Sequence, residues 1–139
     1  MFKLCLFIGG KMTLRKKYLK VTWSITGIWA FIVLILSTVP ASAFPQTEIS
    51  YLDKAFHFGE FIVLALLMTH AFKYAKVSLA DNSLFTLILA GGYGILMELT
   101  QLYVPGRSAS VYDIMADLAG VTVGVLIAKV VLYGRNKTI

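Results

Sequence analysis

Glu98, Gln101, Asp113 and Asp117 stand inside, or at the edge of, two apolar stretches joined by a Pro105-Gly106-Arg107 turn, all within positions 91–124, GGYGILMELTQLYVPGRSASVYDIMADLAGVTVG. A carboxylate in hydrocarbon costs about 2.5 to 3.5 kcal/mol on insertion scales, and chains keep such groups mainly where they pair or act. A second polar set, Asp53, His57 and Glu60, precedes it. At 3.6 residues per turn these three lie within about 60° of one another, so they form one stripe on a helix that is otherwise apolar. With Lys54 and Arg107 nearby in sequence, these residue types suit two kinds of chemistry. One is proton transfer, with Glu98 or Asp117 as general base, His57 as its partner and Arg107 as an anion clamp. The other is recognition of a polar headgroup by hydrogen bonds. No serine or cysteine nucleophile stands beside a base in a recognisable motif, although Ser108 and Ser110 lie close to Arg107.

Each group also has a plainer reading. Asp53 can cap the helix it precedes, and Asp113 can cap its own helix or pair with Arg107. Gln101 and Asp117 can serve as interhelical hydrogen-bond glue. His57 can be a satisfied structural histidine. Glu98 sits about five residues, roughly 8 Å, inside a helix end, where no cap is needed.

The elements that carry these residues follow from composition. The chain has 139 residues, 58% hydrophobic and 14% charged, with a mean hydropathy of +0.79. Soluble domains carry about a quarter charged residues, so an all-α integral membrane protein is expected. Cys5 is the single cysteine, which excludes an internal disulfide, and no Cys/His spacing suggests zinc. No metal or cofactor is expected, although five carboxylates against Lys54 and Arg107 raise the question of a divalent cation or of protonated carboxyls. The formal charge of +6 lies in segments flanking apolar runs, as topology signals do, and does not indicate nucleic acid.

Four membrane-spanning helices are expected. Residues 1–20, with Lys3, Lys11, Arg15, Lys16, Lys17 and Lys20 and no acid, form a basic cytoplasmic segment, and Met12 is an alternative start. The membrane domain covers 21–133. Its first span runs from about Val21 to Val39, ended by Pro40. The Ala41-Ser42-Ala43 sequence that follows imitates a signal-peptidase site, but the apolar run is longer than a signal core, so an uncleaved span is expected. The second span is about Ala55 to Phe72, the third about Ser83 to Tyr103 and the fourth about Val111 to Leu132. A short cytoplasmic tail, 134–139, closes the chain. Gly91 and Gly94 share a face with Glu98 and Gln101, and Gly120 and Gly124 lie in line with Asp113 and Asp117. Both sets allow close approach of a neighbouring backbone. The cytoplasmic half of the third span, LFTLILA, carries no feature, and His70 reads as an interfacial residue.

Eleven of the thirteen Lys and Arg residues fall in the N-terminal segment, the 73–76 loop and the C-terminal end, so both termini are expected in the cytoplasm. Three helices then place polar residues in the same, outer half of the membrane. The expected site is an outer-leaflet pocket ringed by Asp53, Lys54, His57, Glu60, Glu98, Gln101, Arg107, Asp113 and Asp117. The inner half offers no matching polar residues, which disfavours transport.

The combination Asp53-Lys54-x-x-His57-Phe58-x-Glu60-Phe61, Glu98-x-x-Gln101, Pro105-x-Arg107 and Asp113-x-x-x-Asp117-x-x-Gly120-x-x-x-Gly124, with Ser37-Thr38-Val39-Pro40 ending the first span, resembles the VanZ-like family over roughly residues 20 to 130. One departure is Asp117, where the family more often has Asn. The founding VanZ protein is associated with lowered sensitivity to the glycopeptide teicoplanin. The resemblance therefore implies a multi-pass protein of the bacterial inner membrane with a role in cell-envelope or glycopeptide-antibiotic physiology.

The expected function is an accessory protein that binds a polar envelope lipid or lipid-linked precursor in its outer pocket. The alternatives are an intramembrane acid/base enzyme acting on such a lipid, and a purely structural membrane protein. The expected partners are the lipid bilayer and an envelope lipid or lipid-linked precursor, and no nucleic acid is expected.

Overall fold

The computed structural model describes the backbone of residues 2–40, 42 and 49–134, and the side chains of 12–40, 42, 52–132 and 134. Ala41, Ala43, Pro45, Glu48, Arg135 and Lys137 lie outside the described residues. Within them the chain forms four helices and no strand: α1 (Phe2–Ser37), α2 (Ile49–Ala75), α3 (Leu79–Gln101) and α4 (Val111–Tyr133). All four contain a stretch long and apolar enough to cross a membrane, namely Met12–Ser37, Leu52–Ala75, Leu79–Gln101 and Val111–Leu132.

The helices are longer than their apolar stretches suggest. α1 continues without a break through the basic segment expected to flank it, because Lys and Arg are good helix formers and no proline intervenes before Pro40. α2 begins at Ile49, more than a turn before its apolar run, and this places Asp53 inside the helix instead of at its cap. The α3–α4 connection is closed by the Arg107 N–H donating to the Val104 carbonyl at 3.1 Å. Pro105 takes the second place of that turn and Gly106, at φ 76°, the third, the residue order of a type II turn.

Partners along the helices fix the topology. Tyr18 stacks on Tyr74 and Trp23 packs edge-on against Phe72, while the Trp29 indole N–H donates to the Glu60 carbonyl at 3.1 Å. α1 and α2 are therefore antiparallel. The Tyr93 hydroxyl donates to the Ala30 carbonyl at 2.6 Å and ties α3 to the same stretch of α1. α4 lies parallel to α2 with Gly120 on the Phe58 carbonyl and Gly124 on that of Ile62; a Cβ at position 124 would stand 2.7 Å from that oxygen. The two glycines thus act inside one chain, bringing two helix backbones together where any side chain would hold them apart. Between the helices lies an apolar core of Val33, Phe61, Leu64, Ala65, Met97, Val121 and Val125. Outside, Ile28, Phe31, Phe56, Ile88, Leu96, Leu126 and Val130 are exposed, an apolar coat suited to lipid.

The end of the bundle opposite the expected site is not featureless. Thr69, Asn82 and Thr86 are fully buried there. The Asn82 amide donates to the Thr69 carbonyl at 3.0 Å, the Thr86 hydroxyl donates to the Asn82 side-chain carbonyl at 3.4 Å, and the Thr69 and Thr86 hydroxyls are 3.5 Å apart. The expectation that this half lacks buried polar residues is corrected. Its groups satisfy one another across α2 and α3, about 18 Å along α2 from His57, and act as interhelical glue.

Candidate functional site

The start of α2, the end of α3, the 102–110 turn and the start of α4 meet at one end of the bundle. All nine residues singled out in the sequence lie on these segments, eight of them in two layers, with Glu60 one turn below.

The outer layer is made of ion pairs. The Arg107 guanidinium donates from Nη1 to Asp53 Oδ1 at 3.1 Å and from Nε to the Val39 carbonyl at 3.2 Å. One side chain thereby joins the α3–α4 turn to the end of α1 and the first turns of α2. Lys54 Nζ lies 3.7 Å from Asp113 Oδ1, joining α2 to α4. Where the short turn suggested Arg107 with Asp113, the structure has Arg107 on Asp53 and Lys54 on Asp113, two pairs that each tie α2 to the segment after α3. The cap reading of Asp113 is also corrected: Ser110 occupies the N-cap of α4, and Asp113 lies in its first turn, where a carboxylate is favoured by the helix dipole.

The inner layer is buried. His57, Glu98, Gln101 and Asp117 are each at most 4% exposed. His57 Nδ1 and Asp117 Oδ1 are 3.0 Å apart, a buried hydrogen-bond contact that links α2 to α4. Glu98 takes the N–H of Ser110 on Oε2 at 2.7 Å. That bond amends the view that Glu98 serves no cap: it accepts a backbone donor at the head of the neighbouring helix. Gly94, one turn before Glu98, makes room for Asp117, since a Cβ there would stand 2.7 Å from Asp117 Oδ2. One donor atom each of His57, Glu98 and Asp117 lies within 4.8 Å of the other two, and the same holds for Asp53, His57 and Asp113. Glu98 Oε1, Gln101 Nε2, Asp113 Oδ1 and Asp117 Oδ2 are buried without a hydrogen-bond partner from the protein.

Glu60 is half-buried one turn below His57. His70, edge-on to Tyr74 at the far end, is not part of this cluster. Of the three phenylalanines around His57, Phe61 is a core residue, whereas Phe56 is 64% exposed. Contributions invisible to side-chain reasoning are the Val39 carbonyl and the Ser110 N–H. The Ser-Thr-Val-Pro ending of α1 and the serine before Val111 are their only signals in sequence.

A bundle of four apolar helices with a buried imidazole–carboxylate cluster at one end is a multi-pass membrane protein with a polar site built from three of its helices. The family model described as VanZ/LLP1 matches residues 8–132, and the chain belongs to that family. No curated protein and no solved structure gives a match.

Proposed function

We propose that this VanZ-like protein is an accessory factor of the bacterial cell envelope, whose polar end lies in the outer half of the cytoplasmic membrane and binds the headgroup of an envelope lipid or lipid-linked precursor. The observation that carries the reading is the set of buried polar atoms at that end without a hydrogen-bond partner from the protein: Glu98 Oε1, Gln101 Nε2, Asp113 Oδ1 and Asp117 Oδ2. A buried carboxylate oxygen without a donor costs of the order of 1 to 3 kcal/mol or more. Three of the four atoms are acceptors, so they favour a group rich in hydroxyl, amide or amino donors, as in a sugar or polyol. Arg107 is engaged by Asp53 and Val39, which supports a role in holding the site together more than the anion-clamp role suggested by its position in sequence. An apolar tail can lie along the lipid-facing helices while the headgroup enters between them.

A second reading, an intramembrane acid/base enzyme acting on an envelope lipid, is favoured by the His57–Asp117 contact. A carboxylate on Nδ1 fixes the orientation of an imidazole and stabilises its protonated form, as base-and-orienter pairs do. Glu98 would be the second acid/base group.

Orientation rests on the distribution of basic residues, with both termini in the cytoplasm. Cysteines introduced at Gln46 and Ser108 should react with an impermeant thiol reagent in intact cells; reaction only after lysis would place the polar end on the cytoplasmic side. The binding reading is tested by mass spectrometry of lipids that co-purify with the protein. A defined envelope lipid or precursor, enriched over bulk phospholipid, is expected; a profile indistinguishable from that of the bulk membrane would refute it.

A further inference from the structure

His57, Glu98 and Asp117 come from α2, α3 and α4, and each is buried. We infer that these three side chains form a binding site for one divalent transition-metal ion, Zn2+ or Mn2+, inside the membrane end of the bundle. The inference deepens the headgroup reading and rests on it for the use of the site, since an ion with open coordination positions would itself hold a phosphate or hydroxyl oxygen.

The donor set comes first. One imidazole nitrogen with two carboxylates is a mixed nitrogen and oxygen set, suited to Zn2+ or Mn2+; Mg2+ and Ca2+ prefer oxygen alone. Geometry comes second. A tetrahedral ion with bonds of about 2.0 to 2.2 Å holds its ligands roughly 3.4 Å apart. His57 Nδ1 and Asp117 Oδ1 are already 3.0 Å apart, and the donors of all three residues lie within 4.8 Å of one another. Side-chain rotations of the order of 1 Å close the set on an ion.

The independent observation concerns the atoms left over. Glu98 and Asp117 are 1% and 0% exposed, yet Glu98 Oε1 and Asp117 Oδ2 have no hydrogen-bond partner. Charge points the same way. Arg107 is paired with Asp53 and Lys54 with Asp113, which leaves His57 facing the carboxyls of both Glu98 and Asp117. The outer trio of Asp53, His57 and Asp113 has similar spacing, but two of its members are already held by those basic side chains.

The full-length protein, purified in detergent and stripped with a chelator, is titrated separately with Zn2+, Mn2+ and Mg2+. Bound metal is counted by elemental mass spectrometry after gel filtration, and lipid content is measured in the same samples. Saturable uptake of about one Zn2+ or Mn2+ per chain is expected, with a rise in thermal midpoint, as for any ligand selective for the folded state. Glu98→Gln and Asp117→Asn should each weaken uptake at least about tenfold, since ligand-sphere changes are worth that much or more. Asp81→Asn, at the opposite end of the bundle, should leave uptake unchanged. Absence of saturable uptake by the wild type overturns the site whatever the variants do. So does undiminished uptake by Glu98→Gln, or loss confined to Asp53→Asn and Asp113→Asn. Lipid retained without metal uptake sinks the ion and leaves the headgroup reading intact; metal bound without selective lipid does the reverse.

Discussion

Gly120→Val is expected to destabilise the bundle by about 1 to 3 kcal/mol, toward the upper end of the range for overpacking. The reason is the nature of the neighbour. A Cβ at position 120 runs into the backbone carbonyl of Phe58 and meets the Phe61 Cβ at 3.2 Å. Neither can rotate away as the tip of a long side chain would, so α2 and α4 must separate. That separation stretches the His57–Asp117 contact one turn away, so loss of site function should accompany loss of stability. Gly92→Ala is the matching control: nothing stands within 4 Å of a Cβ there, and the gain in helix propensity should make it neutral or stabilising by up to about 1 kcal/mol. Thermal unfolding in detergent distinguishes the two. Equal midpoints for Gly120→Val and the wild type would mean that the helices do not meet at this seam.

Arg107→Ala should cost about 1.5 to 3 kcal/mol, the range for hydrogen bonds to charged groups. Its guanidinium uses two different nitrogens on two different segments, Nη1 on Asp53 and Nε on the Val39 carbonyl. A lysine has one ammonium and cannot place donors in that fixed fork, so Arg107→Lys should recover only part of the loss. The partner is specific as well. In double-mutant cycles, Arg107 and Asp53 should show coupling, while Arg107 and Asp113 should be nearly additive. Full recovery by lysine, or coupling to Asp113 in place of Asp53, would return Arg107 to a simple charge-neutralising role across its own turn.

The sequence revealed much of this architecture for a physical reason: in hydrocarbon, spans and their buried polar residues contrast sharply with their surroundings. Four spans were legible from runs of apolar residues, and the gathering of Asp53, His57, Glu98 and Asp117 at one end follows once those spans alternate in direction. What stayed hidden depends on contacts between residues far apart in the chain. Arg107 stands close to Asp113 in sequence but bonds to Asp53, because helix packing, and not separation along the chain, decides which carboxylate faces it. Asp53 was open to a cap reading only because the apolar run begins after the helix does. Glu98 finds a backbone N–H at the head of α4, a partner that no side-chain pattern announces. Thr69, Asn82 and Thr86 escaped notice because single neutral polar residues in a span do not stand out until two helices bring them together.

The central claim is that the buried acceptors around His57, Glu98 and Asp117 hold the donor-bearing headgroup of a membrane lipid. Native mass spectrometry of the wild type and of Glu98→Gln, purified side by side, tests it most directly. The substitution keeps the size of the side chain and an oxygen for the Ser110 N–H, so a well-folded protein should result, but it removes the charge and one acceptor. The account predicts a discrete lipid adduct on the wild type that is lost or reduced at least about tenfold in Glu98→Gln, corresponding to a deficit of roughly 1.4 kcal/mol or more. An identical adduct on both proteins, or none on either, would contradict it and leave the polar end as a device for locking helices together.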